Sequence, residues 1–273
     1  MSYQFSLAFL TVFDATPSEA IQIAAETGYS HVGLRLLPSG SEGLFPLMTD
    51  DRVFKETLAA LQDTGIQVAD IEIVRLGEQF QVSDTLAFLE RGARLGAKNV
   101  LVAGDDPDES RLTASFAAFC EAADSFGLTA DLEFMPWTQV PDIAKANRVV
   151  SNAAQANGGV LIDALHYHRA HMTLDDIAII DPKRIHYVQF CDALAAFDDS
   201  TDALIHVARQ ARLDPGEGEI DLVSLFQAIP KHAMLSIEVP NFDKAKSLTS
   251  KERAANALAA MKGVIAQASN SPY

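Results

Sequence analysis

A chain of 273 residues with 48% apolar and 21% charged side chains has the material for a large buried core, which excludes a disordered protein. Its 37 acidic against 21 basic residues leave a formal charge of -16, which opposes binding to nucleic-acid phosphates or anionic lipid surfaces. No apolar run approaches ~18 residues, and the opening MSYQFSLAFL lacks a signal-peptide pattern, so a cytoplasmic protein with no nucleic-acid or membrane partner is expected.

The first apolar run, QFSLAFLTVF (4–13), reads as a β-strand, and TPSEAIQIAAETG after it as a helix. There Thr16 precedes Pro17 at a first helical position, Glu19 supplies acid to the first turn, and Gly28 stops the pattern. The strand-like segments that follow are HVGLRLL, QVADIEIVRL, NVLVAGD, TADLEFM, GVLIDAL, RIHYVQFCDA and MLSIEVP. Helical patterns begin near Asp50, Ser83, Glu109, Thr138, Thr173, Asp221 and Ser250. Strand and helix therefore alternate eight times, which predicts an α/β fold, a (β/α)8 TIM barrel, as a single domain over 1–273. A doubly wound sheet would announce a nucleotide site by a glycine-rich first turn; FDATPSEA has none, and no cofactor-binding nucleotide motif is expected. The polar stretch CDALAAFDDSTDALIHVARQARLDPGEGEID reads as a long loop after the seventh strand.

Cys120 and Cys191 match neither a disulfide framework nor a zinc-finger spacing. Cys191 has no assignable activating base and reads as a small apolar strand residue.

In a barrel the chemistry sits at the carboxyl ends of the strands. The fifth ends in Leu132-Glu133-Phe134, the sixth in Ile162-Asp163-Ala164, the seventh in Val188-Gln189-Phe190 followed by Asp192, and the eighth in Ile237-Glu238-Val239. Each polar residue is flanked by apolar ones, and burying an unpaired carboxylate costs several kcal/mol or forces it to hold a proton. Any one alone could be a salt-bridged structural residue. Four on consecutive strands point to a shared divalent cation, for which oxygen donors from Glu, Asp and an amide suit Mg²⁺ or Mn²⁺. His166, three residues past Asp163, can turn back to that cation or to a substrate hydroxyl. His168 and His171 read as loop residues, and His31, His186, His206 and His232 as structural. In RLDPGEGEID, Arg212 could anchor an anionic or hydroxylated substrate; a proline/glycine turn explains the same letters. Arg35 and Glu72 lie at other strand ends, but strand alternation leaves their facing open.

The segments LEFMPW, GGVLIDALHYHR, VQFCDA, RLDPGEGEID and SIEVPN together resemble the xylose isomerase-like TIM barrel superfamily, the sugar phosphate isomerase/epimerase group, over essentially the whole chain. The resemblance implies a divalent metal held by Glu133, Asp163, Gln189 and Glu238, with His166 and Arg212 contacting substrate. Many relatives have histidine where Gln189 stands, which favours Mn²⁺ or Mg²⁺ over Zn²⁺ here. The group also contains dehydratases of cyclic polyols or dehydroshikimate and abasic-site endonucleases. Met135 stands where some of those dehydratases carry histidine, and the acidic charge and few histidines fit the endonucleases poorly.

The expected function is a metal-dependent isomerase or epimerase of a small carbohydrate or keto-polyol, moving a proton through an enediolate with Glu133 and Glu238 as acid and base. A lyase acting on a keto-polyol or cyclic keto acid is the alternative within the same group, and a non-catalytic sugar-binding barrel a third reading. Barrels of this group often associate, so a homo-oligomer is a further expectation.

Overall fold

The computed structural model describes residues 3–40 and 42–270. Eight parallel strands close into a barrel in sequence order: β1 Phe5–Leu7, β2 His31–Arg35, β3 Gln67–Leu76, β4 Asn99–Gly104, β5 Thr129–Glu133, β6 Gly158–Asp163, β7 Tyr187–Phe190 and β8 Met234–Ile237. β1 pairs with both β2 and β8, which leaves no sheet edge. Helices fill the connections, beginning with Pro17–Thr27, whose capping box pairs Thr16 with Glu19 and whose end is Gly28 at φ 93°. No helix among the described residues is long and apolar enough to cross a membrane.

Four expectations about elements are corrected. The first strand stops at Leu7, and Phe9–Val12 form a 3-10 turn instead. Thr11 drives this: its hydroxyl donates to the Ile237 carbonyl at 2.8 Å and accepts from Val239 N–H at 2.8 Å, folding the run over the barrel end. The helix expected near Thr138 begins at Ile143, because Thr138 spends its hydroxyl on the Met135 carbonyl and Asp142 caps Lys145 N–H. The segment after β6 is a helix, Ala164–Arg169, rather than a loop. The long loop after β7 contains the helix Thr201–Gln210, which buries Leu204 and Ala208 one turn apart.

Strand alternation divides the core in two. One phase, including Val100, Val102, Leu132, Val160, Ile162, Val188, Phe190, Leu235 and Ile237, packs outward under the helices. The other, including Leu101, Ala103, Leu161, Tyr187 and Met234, fills the barrel lumen. Continuing that inner phase toward the carboxyl ends places Glu133, Asp163, Gln189 and Glu238 on the lumen side.

Lower in the barrel, His186 Nδ1 lies 2.6 Å from Asp131 Oδ1. Burial alone would lower the His186 pKa, but the Asp131 carboxylate outweighs it and holds the imidazole above its ordinary value. A raised folded-state pKa contributes stability in full below the unfolded value, about 6.5, and loses it as pH rises through the folded value. His186→Gln is therefore expected to destabilise the protein most near pH 6, with the deficit shrinking by about pH 9, as denaturant midpoints at the two pH values will show.

Candidate active site

All six residues singled out from sequence converge, each at most 4% exposed: Glu133, Asp163, His166, Gln189, Arg212 and Glu238. Asp163 ends β6 and caps the following helix, its Oδ1 accepting from Leu165 N–H at 2.7 Å and His166 N–H at 3.1 Å. The cap fixes the first helical turn, and with it the position of His166. One donor atom from each of Glu133, Asp163 and His166 lies within 4.8 Å of the others. Gln189 Nε2 donates to Glu238 Oε1 at 3.1 Å.

The resemblance makes Arg212 a substrate contact; its guanidinium is buried at the centre, Nη1 2.5 Å from Asp163 Oδ2 and Nη2 3.0 Å from Glu238 Oε2. A guanidinium thus already bridges two of the carboxylates that the sequence gathers around a shared cation. Glu133 stays outside this bridge; its closest cation-capable neighbour is His166, at 3.6 Å from Nε2 to Oε1.

The electrostatics follow from this division. Burial would raise the Asp163 pKa, but Arg212 and His166 overcome it and hold the carboxyl below its usual range. Glu133 is pushed well above that range, first by burial and then by Asp163 and Glu238. Glu238 rises to about 8, by burial and the charges of Glu72 and Asp163 against the opposing effect of Arg212. His166 falls to about 4 because burial disfavours its charged form, so it is a neutral imidazole at physiological pH. Trp137 packs edge-on against that ring, with centroids 5.0 Å apart.

The loop holding Arg212 is built by Asp192, whose carboxylate accepts from the N–H groups of Ala193, Gly216 and Ile220 at 2.8–3.0 Å. Arg212 Nε donates to the Ala208 carbonyl at 2.8 Å, and its backbone is bonded to Pro240 and Asn241. Gly218 meets this anchor so closely that a Cβ would lie 2.4 Å from both the Ala193 carbonyl oxygen and Asp192 Oδ1. Gly218→Ala is expected to cost about 1–3 kcal/mol of stability, measurable as a lowered Tm. Cys191 is buried beside Arg212 with its thiol pushed up to about 12, and His168 and His171 pack around Phe197.

Above the central group opens a cleft of about 450 Å³, counting space open to solvent. Sequence reasoning left Arg35 and Glu72 undecided; they line this cleft as an ion pair at 2.5 Å. It missed Arg75, Arg209 and Trp137, which line it too. The signal for Arg209 was available: DALIHVARQ carries apolar residues at helical spacing inside a stretch read as loop.

Two features fit a divalent ion. Gln189 Oε1 is buried with no hydrogen-bond partner, an acceptor without a donor. Glu133 is a buried carboxyl with no Lys or Arg within ion-pair distance among the described residues, while Asp163 and Glu238 complete a hard oxygen set beside it. The donor chemistry thus suggests a divalent metal.

A family model described as xylose isomerase-like TIM barrel matches residues 21–264. No curated protein matches the sequence. Among solved structures, a xylose isomerase-like TIM barrel/4-hydroxyphenylpyruvate dioxygenase fusion protein superposes with TM-score 0.82 at 21% identity, over 100% of this chain and 45% of that one. This chain thus spans less than half of the fusion protein's length. The IOLI protein with a bound zinc atom gives 0.79 at 17% identity, over 97% and 98% of the two chains. Two further structures, both at 14% identity, are a probable 3-DHS dehydratase AsbF from Bacillus anthracis (0.71; 94% and 98%) and a D-psicose 3-epimerase (0.70; 96% and 99%).

Proposed function

Because the chain belongs to the xylose isomerase-like TIM barrel family, we propose that it is a divalent-metal-dependent enzyme that moves a proton next to a carbonyl, as an isomerase or epimerase of a sugar-like hydroxy-carbonyl compound. The observation that carries this reading is the pair of buried glutamates lining one cleft, Glu133 and Glu238, whose burial shifts both toward the protonated form.

Glu133, Asp163, Gln189 and Glu238 would hold the ion. When bound, a divalent ion supplies Lewis acidity that polarises a carbonyl. Glu238 and Glu133 exchange protons with the substrate carbons, one abstracting and the other returning, and they stand on strands three apart around the barrel. His166, neutral and with Nδ1 unpartnered, contacts a substrate hydroxyl. Arg212 keeps Asp163 ionised and stabilises negative charge developing on the substrate oxygens. Trp137, Met135 and Leu101 supply an apolar wall that limits water around the reacting carbons.

A lyase is the second reading, supported by the arginines of the cleft, which suit a keto acid. It begins with the same proton abstraction and then expels a β-hydroxyl, so release of one water from the substrate formula distinguishes it.

The test is a screen of keto sugars, keto acids and cyclic polyols with Mn²⁺ present. Turnover is expected, to be lost on chelation and restored by Mn²⁺ or Mg²⁺. Metal-independent turnover would overturn the metal role, and binding without any conversion would favour a non-catalytic barrel.

A further inference from the structure

A protein with a charge of -16 lines one cleft with four arginines, Arg35, Arg75, Arg209 and Arg212. Three are neutralised within the protein. Arg35 pairs with Glu72 at 2.5 Å, Arg75 makes a two-pronged contact to Asp105 at 2.7 and 2.9 Å, and Arg212 bridges Asp163 and Glu238. Arg209 forms no ion pair among the described residues.

Its surroundings make the charge costly. Arg209 is half-buried, and its Nη2 and Arg75 Nη1 both reach the Ser39 carbonyl oxygen, at 3.4 and 3.5 Å. Two guanidinium groups thus share one neutral acceptor through long bonds. Burial, and then the charges of Arg75 and Arg35, lower the Arg209 pKa. Glu42 works the other way, but it makes no direct ion pair with Arg209; its Oε1 accepts from Ser39 N–H and Oγ at 2.8 and 3.0 Å. Like charges crowded at a cleft wall, one making no direct ion pair among the described residues, make a site complementary to an anion.

We infer that Arg209, with Arg75 beside it, forms a subsite for an anionic group, a carboxylate or phosphate, on the substrate. The inference rests on the reading of this cleft as the substrate site and deepens it: the substrate is a hydroxylated carbonyl compound carrying a fixed negative charge. The anionic end lies at the Arg209 wall, while the reacting carbons face Glu133 and Glu238.

Calorimetric titration of the Mn²⁺-loaded protein with D-gluconate, D-glucose 6-phosphate and neutral D-glucitol tests it. At least one anionic probe is expected to bind about tenfold or more tightly than glucitol, and the stronger of the two identifies the carboxylate or phosphate. Arg209→Met is expected to abolish most of that preference with Mn²⁺ affinity unchanged, and Arg209→Lys to retain part of it. Equal binding of charged and neutral probes, no binding of either anion, or full preference in Arg209→Met overturns the inference. Anion preference without turnover of any compound leaves the subsite standing and removes the enzymatic reading; efficient turnover of a neutral sugar without anion preference does the reverse.

Discussion

Glu238→Gln is expected to lower turnover by roughly 10²–10⁴-fold and to abolish solvent-deuterium incorporation at the substrate carbon, with the circular-dichroism spectrum unchanged. The amide oxygen can still accept from Gln189 Nε2 at 3.1 Å, while its NH2 replaces the oxygen that Arg212 Nη2 contacts at 3.0 Å, so a lowered Tm with the same folded spectrum is expected. It removes the carboxyl proposed to exchange the proton. Undiminished exchange in the variant would take Glu238 out of proton transfer. The equivalent change at Glu133 provides a contrast: if the two acids divide the work, Glu133→Gln blocks net conversion while Glu238 still washes deuterium into the substrate.

Arg212→Met should produce the largest change in stability. Removing the guanidinium leaves Asp163 and Glu238 buried without their shared cation, and breaking a buried pair in this way costs about 3–5 kcal/mol. The same carboxylates belong to the proposed metal site, so Mn²⁺ should recover more stability in the variant than it adds to the parent protein. A ligand that binds only the folded state at a hundred times its Kd contributes about 2.7 kcal/mol, which is well within reach of denaturant titration. Equal Mn²⁺ increments in both proteins would show that guanidinium and metal do not compete for these oxygens.

The barrel was legible because buried parallel strands write themselves as continuous apolar runs, as in NVLVAG and GGVLID, and because caps such as Thr16 and Asp50 mark helix starts. The converging acids were legible for a related reason: a carboxylate between two core residues at a strand end has few structural uses. The reach of Arg212 was not. Its burial depends on Asp192 gathering three backbone N–H groups and on Ala208 accepting from Nε, contacts between segments distant in sequence. Arg209 escaped because the segment 194–200, which ends in Asp198, Asp199 and Ser200, precedes its helix and gave the whole connection the look of a loop. The 3-10 turn at Phe9–Val12 escaped because only a tertiary partner, the end of β8, distinguishes it from more strand.

The helix Thr201–Gln210 ties two roles to one short element: Ala208 steadies Arg212, and the next residue is Arg209 itself. It is tethered by an exposed connection at 194–200 rather than by a barrel stave. Sequence drift in that tether can therefore retune which molecules are accepted while the eight staves remain untouched, making this short helix the cheapest route by which the protein acquires a new chemical diet.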